Sequence, residues 1–295
     1  MKEKTIYALG FFDGVHLGHQ ALLTACRKLA AEHDCQSGAL TFSVHPDGLV
    51  LGKPPVLLNT SEDRARLLYS YGMDTVIEIP FDKTLMTTHW SVFLQQLVAD
   101  GAAGFVCGSD FRFGSGALGT AKKLEAFCKK RGLPYAIVPE QMMDGERISS
   151  TRIRSLLENG EAEQALKLMD HPHVFTGEVI SGKQLGRTLG FPTANLAFPK
   201  DLLIPKFGVY ACVVAVDGEA YMAVTNIGTR PTVDGEGVTA EVHLLDFEGD
   251  LYGKALTIAF CLFLRPEQKF DSLEELKAQI AEDVAKVRNA LQAQS

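Results

Sequence analysis

What most constrains this chain is a change of rhythm near its middle. Up to residue 139 short β-rich runs alternate with helical patterns, whereas from residue 174 strands follow one another with no helix between them. Runs at 5–12, 39–42, 75–79, 104–108 and 135–139 read as strands. Stretches at 18–33, from 61, at 90–99 and at 119–131 read as helices, the first on the spacing of Leu22, Leu23, Cys26 and Leu29. This alternation calls for a parallel sheet with helices on both faces, and ligands then gather at the carboxyl ends of the strands. One more helical stretch covers 151–169. Beyond it, Asp217-Gly218 sits between two alternating runs, a hairpin signal, so the second half is mostly β. A final helix opens at Ser272, where Ser272 and Glu275 fit a capping box and Leu276, Ile280, Val284, Val287 and Leu291 form an apolar stripe. Pro172 disfavours helix continuation, so the linker is placed at 171–173, between a first domain of residues 1–170 and a second of 171–295.

With 295 residues, 46% of them hydrophobic, both halves can bury a core. The longest apolar run, 255–264, falls well short of the roughly 18 residues of a membrane span, and the run at 6–12 is cut by Asp13 without a cleavage pattern. A cytoplasmic protein without a membrane partner is expected. The excess of 36 acidic over 29 basic side chains, a formal charge of -7, argues against nonspecific nucleic-acid binding. The six cysteines show no C-x-x-C pair and read as small hydrophobes in a reducing compartment. The sequence points to no particular protein partner.

Residues 10–20, GFFDGVHLGHQ, follow the first strand and open the first helix. In this composition H-x-G-H is expected roughly 0.02 times by chance, which makes the motif moderately specific. A strand-to-helix junction aims free backbone N–H groups and a positive dipole end at a bound phosphate. Gly10 and Gly18 permit close approach, and His16 and His19 add donors; the competing reading is a surface helix start. A second cluster, residues 147–154, carries three hydroxyls and three guanidinium groups. Arg147, Ser150, Thr151 and Arg154 suit a polyphosphate clamp, against the alternative of a capped helix with a solvated basic face.

GFFDGVHLGH, the GSDFRFG of residues 108–114 and the ISSTRIR of 148–154, in that order, resemble the nucleotidyltransferase module of the bacterial bifunctional riboflavin kinase and FMN adenylyltransferase family. The resemblance implies a Rossmann-like α/β domain that moves AMP from ATP to FMN and releases pyrophosphate. His16 and His19 would then hold the ATP phosphates, the Arg147 to Arg154 cluster the leaving pyrophosphate, and Asp110 would sit in the nucleotide or flavin pocket. Phe11 stands where the family most often has Asn, and residues 41–46 read TFSVHP in place of T-F-x-P-H-P.

In the second half, glycines at 177, 182, 186 and 190 precede FPTANL at 191–196. They read either as ordinary turns or as backbone, at Gly182 and Gly186, that lies close to ATP phosphates. Thr193 and Asn195 supply hard oxygen donors suited to Mg²⁺. Period-2 alternation puts Glu241 and His243 on one strand face, opposite Val242 and Leu244; Glu241 is either a proton acceptor beside a phosphate site or a solvent-facing carboxylate. FPTANL, NIGTRPT at 226–232, EVHLLDF with GDLYG at 241–253 and LRPEQKF at 264–270 resemble the riboflavin kinase module of the same family. That implies a small closed β-barrel of the six-stranded type with a C-terminal helix, phosphorylating the ribityl 5′-hydroxyl of riboflavin. Glu241 would be the base, and Thr193 and Asn195 the Mg²⁺ and ATP ligands. ATP, riboflavin and FMN are the expected small-molecule partners. Competing readings are a riboflavin kinase whose first site is impaired by Phe11, and a flavin-binding regulatory protein without turnover.

Overall fold

A computed structural model describes residues 4–52, 54–180, 190–232 and 235–292. They form two compact units, residues 1–56 with 61–150 and residues 57–60 with 151–295.

In the first unit, strands β1 (Thr5–Leu9), β2 (Gln36–Phe42), β3 (Thr75–Ile79) and β4 (Ala102–Gly108) are interleaved with helices α1 (Leu17–Glu32), α2 (Pro46–Leu51), α3 (Ser61–Ser70), α4 (Lys83–Thr87) and α5 (Trp90–Ala99). A hairpin of β5 (Arg112–Phe113) and β6 (Gly119–Thr120), helix α6 (Ala121–Arg131), strand β7 (Tyr135–Val138) and a hairpin of β8 (Met142–Met143) with β9 (Glu146–Arg147) follow. The main sheet runs β3-β2-β1-β4-β7, with every pair parallel. Both faces are covered, because alternate residues of β1 serve different layers. Ile6 and Ala8 pack with Leu23, Cys26 and Leu68 of α1 and α3, while Tyr7 and Leu9 pack with Leu94, Leu124 and Cys128 of α5 and α6. Each fully buried leucine contributes about 2 kcal/mol. The strand order reverses between β1 and β4, and at such a switch point the loops leave in opposite directions and open a crevice at the carboxyl ends.

The helical stretch expected as one piece over 151–169 is two helices, α7 (Ser150–Asn159) and α8 (Ala162–Met169). Gly160, at φ +81°, takes the left-handed turn that ends α7. Past Ser150 both helices group by contact with the second compact unit, and Ala162 joins its core. His173, expected in the linker, is already the buried first residue of β10 (His173–Ile180). With β11 (Ala194–Ala197), β12 (Gly208–Val216), β13 (Glu219–Thr232), β14 (Gly235–Leu244) and β15 (Ala255–Arg265) it closes an antiparallel barrel in the order β10-β11-β14-β13-β12-β15. Leu196, Val214, Ile227, Val242 and Ile258 fill it. Asp217 and Gly218, both at positive φ, make the expected two-residue turn between β12 and β13.

The C-terminal helix (Leu273–Gln292) lays Val287 and Leu291 on Val209, Ala211 and Val224 of the barrel's outer face. Ser272 Oγ accepts from the Glu275 N–H at 3.2 Å, which is the forward half of the capping box; Glu275 itself accepts from Asp271 N–H rather than from the cap residue. All six cysteines are free, and burial pushes the thiols of Cys26 and Cys128 up to about 11. No described helix is long and apolar enough to cross a membrane.

Candidate active sites

The loop from Gly10 to His16 leaves β1 at the switch point under backbone strain. Phe12 and Val15 have φ of 60° and 36°, conformations that cost of order 1–3 kcal/mol each and persist here because both side chains are fully buried. A Cβ on Gly10 would meet the Phe12 ring at 3.1 Å, so this glycine lets the ring fold under the loop. Gly18 acts in the same way, since a Cβ there would meet the His16 ring at 3.0 Å.

His16 caps α1. Its Nδ1 accepts the His19 backbone N–H at 3.3 Å, which places the imidazole proton on Nε2. The His16 and His19 rings stack at 3.7 Å between centroids and 14° between planes. Burial, then the charges of His16 and Arg147, hold His19 well below the ordinary imidazole range, so it is neutral at pH 7. Its Nδ1 is buried and has no hydrogen-bond partner among the described residues.

The first-half basic cluster reaches this loop through β8 and β9. Their turn, Asp144-Gly145, has both residues at positive φ, and the Ile148 N–H donates to Gln141 O at 2.9 Å. Ser150 Oγ donates to the Asp13 carbonyl at 2.8 Å, joining the cluster to the loop after β1. Arg147 forks between two carboxylates, Asp110 and Glu140, the latter at 2.9 Å. Asp110 folds over Gly108 at the end of β4, where a Cβ would meet its Oδ1 at 2.8 Å. Thr151 and Arg154 follow on α7, past the boundary at which the second unit begins.

Sequence reasoning missed a cavity of about 670 Å³ in the first unit, walled by Phe42, Phe81, Phe93 and Phe113 with Pro46 and Leu85. It also missed Glu140, and Arg64, whose side chain is 1% exposed. The cavity draws on residues 42–49, 81–87, 93 and 112–117; only the tertiary fold brings them together.

On the barrel, Glu241 of β14 lies directly across the ladder from Asn195 of β11 on one side and from Asn226 of β13 on the other. Val242 and Leu244 point into the core, so Glu241 and His243 share the outer face as the alternation implies. The His243 Nδ1 sits 2.8 Å from Pro192 O and its ring meets Phe191 edge-on, which ties down the segment carrying Thr193. Thr193 lines a smaller cavity with Phe247, Gly249, Leu251 and Tyr252; Asn195 and Glu241 are not among its lining residues. Asn226 Nδ2 donates to Glu267 at 3.2 Å. Gly182 and Gly186 lie outside the described residues.

Residues 1–152 match the FAD synthetase family and residues 169–291 the riboflavin kinase family. The chain is similar to a bifunctional riboflavin kinase/FMN adenylyltransferase of Listeria monocytogenes, 36% identical over 94% of this chain and 90% of that protein. It is also similar to one of Haemophilus influenzae, 39% identical over 94% and 91%. Among solved structures, one described as a macrolide-efflux protein from Streptococcus pneumoniae is 30% identical, with a TM-score of 0.87 over 98% of this chain and 95% of that one.

Proposed function

The chain belongs to the bifunctional riboflavin kinase/FMN adenylyltransferase family, and from that premise we propose which of its residues carry each reaction. It phosphorylates riboflavin to FMN and adenylylates FMN to FAD, with ATP as co-substrate of both steps. We assign the adenylyl transfer to residues 1–170 and the phosphorylation to 171–295. The observation that carries this assignment is the pair of stacked imidazoles at the head of α1, beside the switch point of the parallel sheet.

For adenylyl transfer, an FMN phosphate oxygen attacks the α-phosphorus of ATP and pyrophosphate leaves. The backbone N–H groups of Gly18 and the first turn of α1 and the Nε2–H of His16 meet the ATP phosphates, with His19 beside it as a neutral donor, while Gly10, whose N–H donates to Leu40 O, makes room for the loop. Arg147, Ser150, Thr151 and Arg154 take the pyrophosphate; for this, Arg147 exchanges its carboxylate partners, Asp110 and Glu140, for phosphate oxygens. Asp110 then borders the nucleotide. The aromatic cavity suits the isoalloxazine ring of FMN, a flat apolar surface that stacks on phenylalanine faces.

For phosphorylation, the ribityl 5′-hydroxyl attacks the γ-phosphorus, its proton passes to Glu241, and ADP leaves. Thr193 and Asn195 offer a hydroxyl and an amide oxygen, hard donors that fit Mg²⁺, and Gly182 and Gly186 are assigned to the ATP phosphates. Bound there, Mg²⁺ would neutralise charge on the transferring phosphate. The small cavity beside Thr193 is a place for the adenine ring. A formal charge of -7 and cysteines kept as thiols support a cytoplasmic enzyme of small molecules, without nucleic-acid or membrane partners. The test is to supply the purified protein with riboflavin and ATP, or FMN and ATP, with Mg²⁺ in both. FMN and FAD are resolved by chromatography and pyrophosphate release is followed; FAD with pyrophosphate from FMN, and FMN from riboflavin, are the expected products.

A further inference from the structure

Arg64, on α3, is a cation sealed inside the first unit. Its Nη2 donates to Phe42 O at 2.9 Å and to Glu78 at 3.2 Å, while Nε and Nη1 are buried and donate to no described residue. Its guanidinium carbon lies 4.4 Å from the centroid of the Phe11 ring. The His45 imidazole meets the same ring at 4.6 Å and 72°. A guanidinium that leaves hydrogen-bond donors unused in the interior and lies over an aromatic ring takes part of its stabilisation from the ring's negative face, an interaction worth most where water is excluded.

Two parts of the adenylyl-transfer site meet on this stack. Phe11 belongs to the loop that carries Asp13 and His16, and its carbonyl accepts from Thr41 Oγ1 at 2.9 Å. His45 caps α2, accepting the Asp47 N–H at 3.2 Å, and α2 supplies Pro46 and Leu49 to the wall of the aromatic cavity. Phe42, whose carbonyl Arg64 holds, lines that cavity as well. The ring of Phe11 is thus clasped between α3 and the start of α2, and a single stack ties the phosphate loop to the cavity wall.

We propose that Phe11 and Arg64 act as a pair of positioning residues for adenylyl transfer, holding the cavity for the flavin ring in register with the loop for the ATP phosphates. The proposal rests on the reading above that the cavity takes FMN. Neither side chain is placed on the reacting atoms, so its signature lies in turnover rather than in binding. Misplacement of about 1 Å between the FMN phosphate and the α-phosphorus costs on the order of 10²-fold in rate, whereas each substrate alone still finds its own subsite.

The experiment compares the full-length protein with Phe11→Leu, Arg64→Met, the double variant and Phe11→Tyr. It measures kcat and both KM values for FAD formation from FMN and ATP, with riboflavin phosphorylation by the same samples as the internal control. The expected result is a fall in kcat of about 10-fold or more in each single variant, with both KM values within about twofold of the parent. The double variant should fall little further than either single one, because the two side chains act as a unit. Phe11→Tyr, which keeps the ring face, should retain most of the activity, and FMN formation should be unchanged throughout. Parental kcat in Phe11→Leu, additive losses in the double variant, or a raised KM for FMN at unchanged kcat would each overturn the proposal. If Arg64→Met does not fold, Phe11→Leu against Phe11→Tyr decides alone. A parent that makes no FAD from FMN removes the premise as well, and that failure shows before any variant is measured.

Discussion

Glu241 stands directly opposite Asn195 across the β11–β14 ladder, on the outer face of the barrel. Asn226 occupies the corresponding place on the other side, so the proposed base lies in a row with two amides. Glu241→Gln preserves the shape of the row but removes the acceptor. FMN formation should drop by about 10²- to 10⁴-fold while FAD formation from supplied FMN persists, as read by chromatography of the flavins. Phosphorylation at the parental rate would remove Glu241 from the role.

His19 makes the reverse prediction. His19→Ala removes a donor near the developing charge of pyrophosphate, so FMN should accumulate from riboflavin while FAD synthesis falls about 10²-fold. The buried neutral imidazole also has a pH signature. Its pKa is lowered in the folded state, so below the ordinary value of about 6.5 the unfolded chain binds a proton that the folded chain does not. Stability is therefore fully present above pH 6.5 and is lost as pH falls below it. Thermal unfolding of the first unit at pH 7.5 and 5.5 should show this loss in the parent and a smaller loss in His19→Gln.

Arg147 must leave Asp110 and Glu140 to reach a phosphate. Glu140→Gln weakens that competing hold at a half-exposed position, where an ion pair is worth only about 0–1 kcal/mol. The KM for ATP in FAD synthesis should fall by about 2- to 5-fold. Arg147→Lys, which loses the two-pronged fork, should raise it instead. Steady-state kinetics at low salt separates the two outcomes.

Much of this arrangement is legible in residue order alone. The strand at 75–79 and the helix at 90–99 have the expected limits, because an apolar run of that length bounded by turn residues leaves few alternatives. H-x-G-H marks the loop at the switch point, and period-2 alternation puts Glu241 outside the barrel. The role of Gly18 in making room for the His16 ring is not legible, since it depends on a rotamer. Nor is the break at Gly160, because a glycine inside an apolar periodic stretch costs only about 1 kcal/mol and does not by itself end a helix. Arg64 reads as one more charge on a helix, and only the tertiary fold shows it buried against Phe11.

The boundary of the second unit gives a prediction for fragments. Helix α8 buries Ala162, Ala165, Leu168 and Met169, and the Lys206 N–H donates to Leu157 O at 3.0 Å. A fragment of residues 151–295 should melt higher than one of 171–295 and retain more riboflavin phosphorylation. Equal melting temperatures would show that α7 and α8 add nothing to the barrel. Leu57 also exchanges backbone hydrogen bonds with Asp201 and Leu203, so both fragments should melt below the full chain.

The most direct test of two separate sites on one chain is complementation. Glu241→Gln and His19→Ala proteins are incubated with riboflavin, ATP and Mg²⁺, singly and mixed, and FAD is followed over time. Each alone should yield little FAD, the first for want of FMN and the second because FMN accumulates unconverted. The mixture should restore FAD synthesis as FMN released by one protein is adenylylated by the other. A mixture that makes no more FAD than the sum of its parts, although the His19→Ala protein supplies free FMN, would contradict the assignment of the two reactions to these two sites.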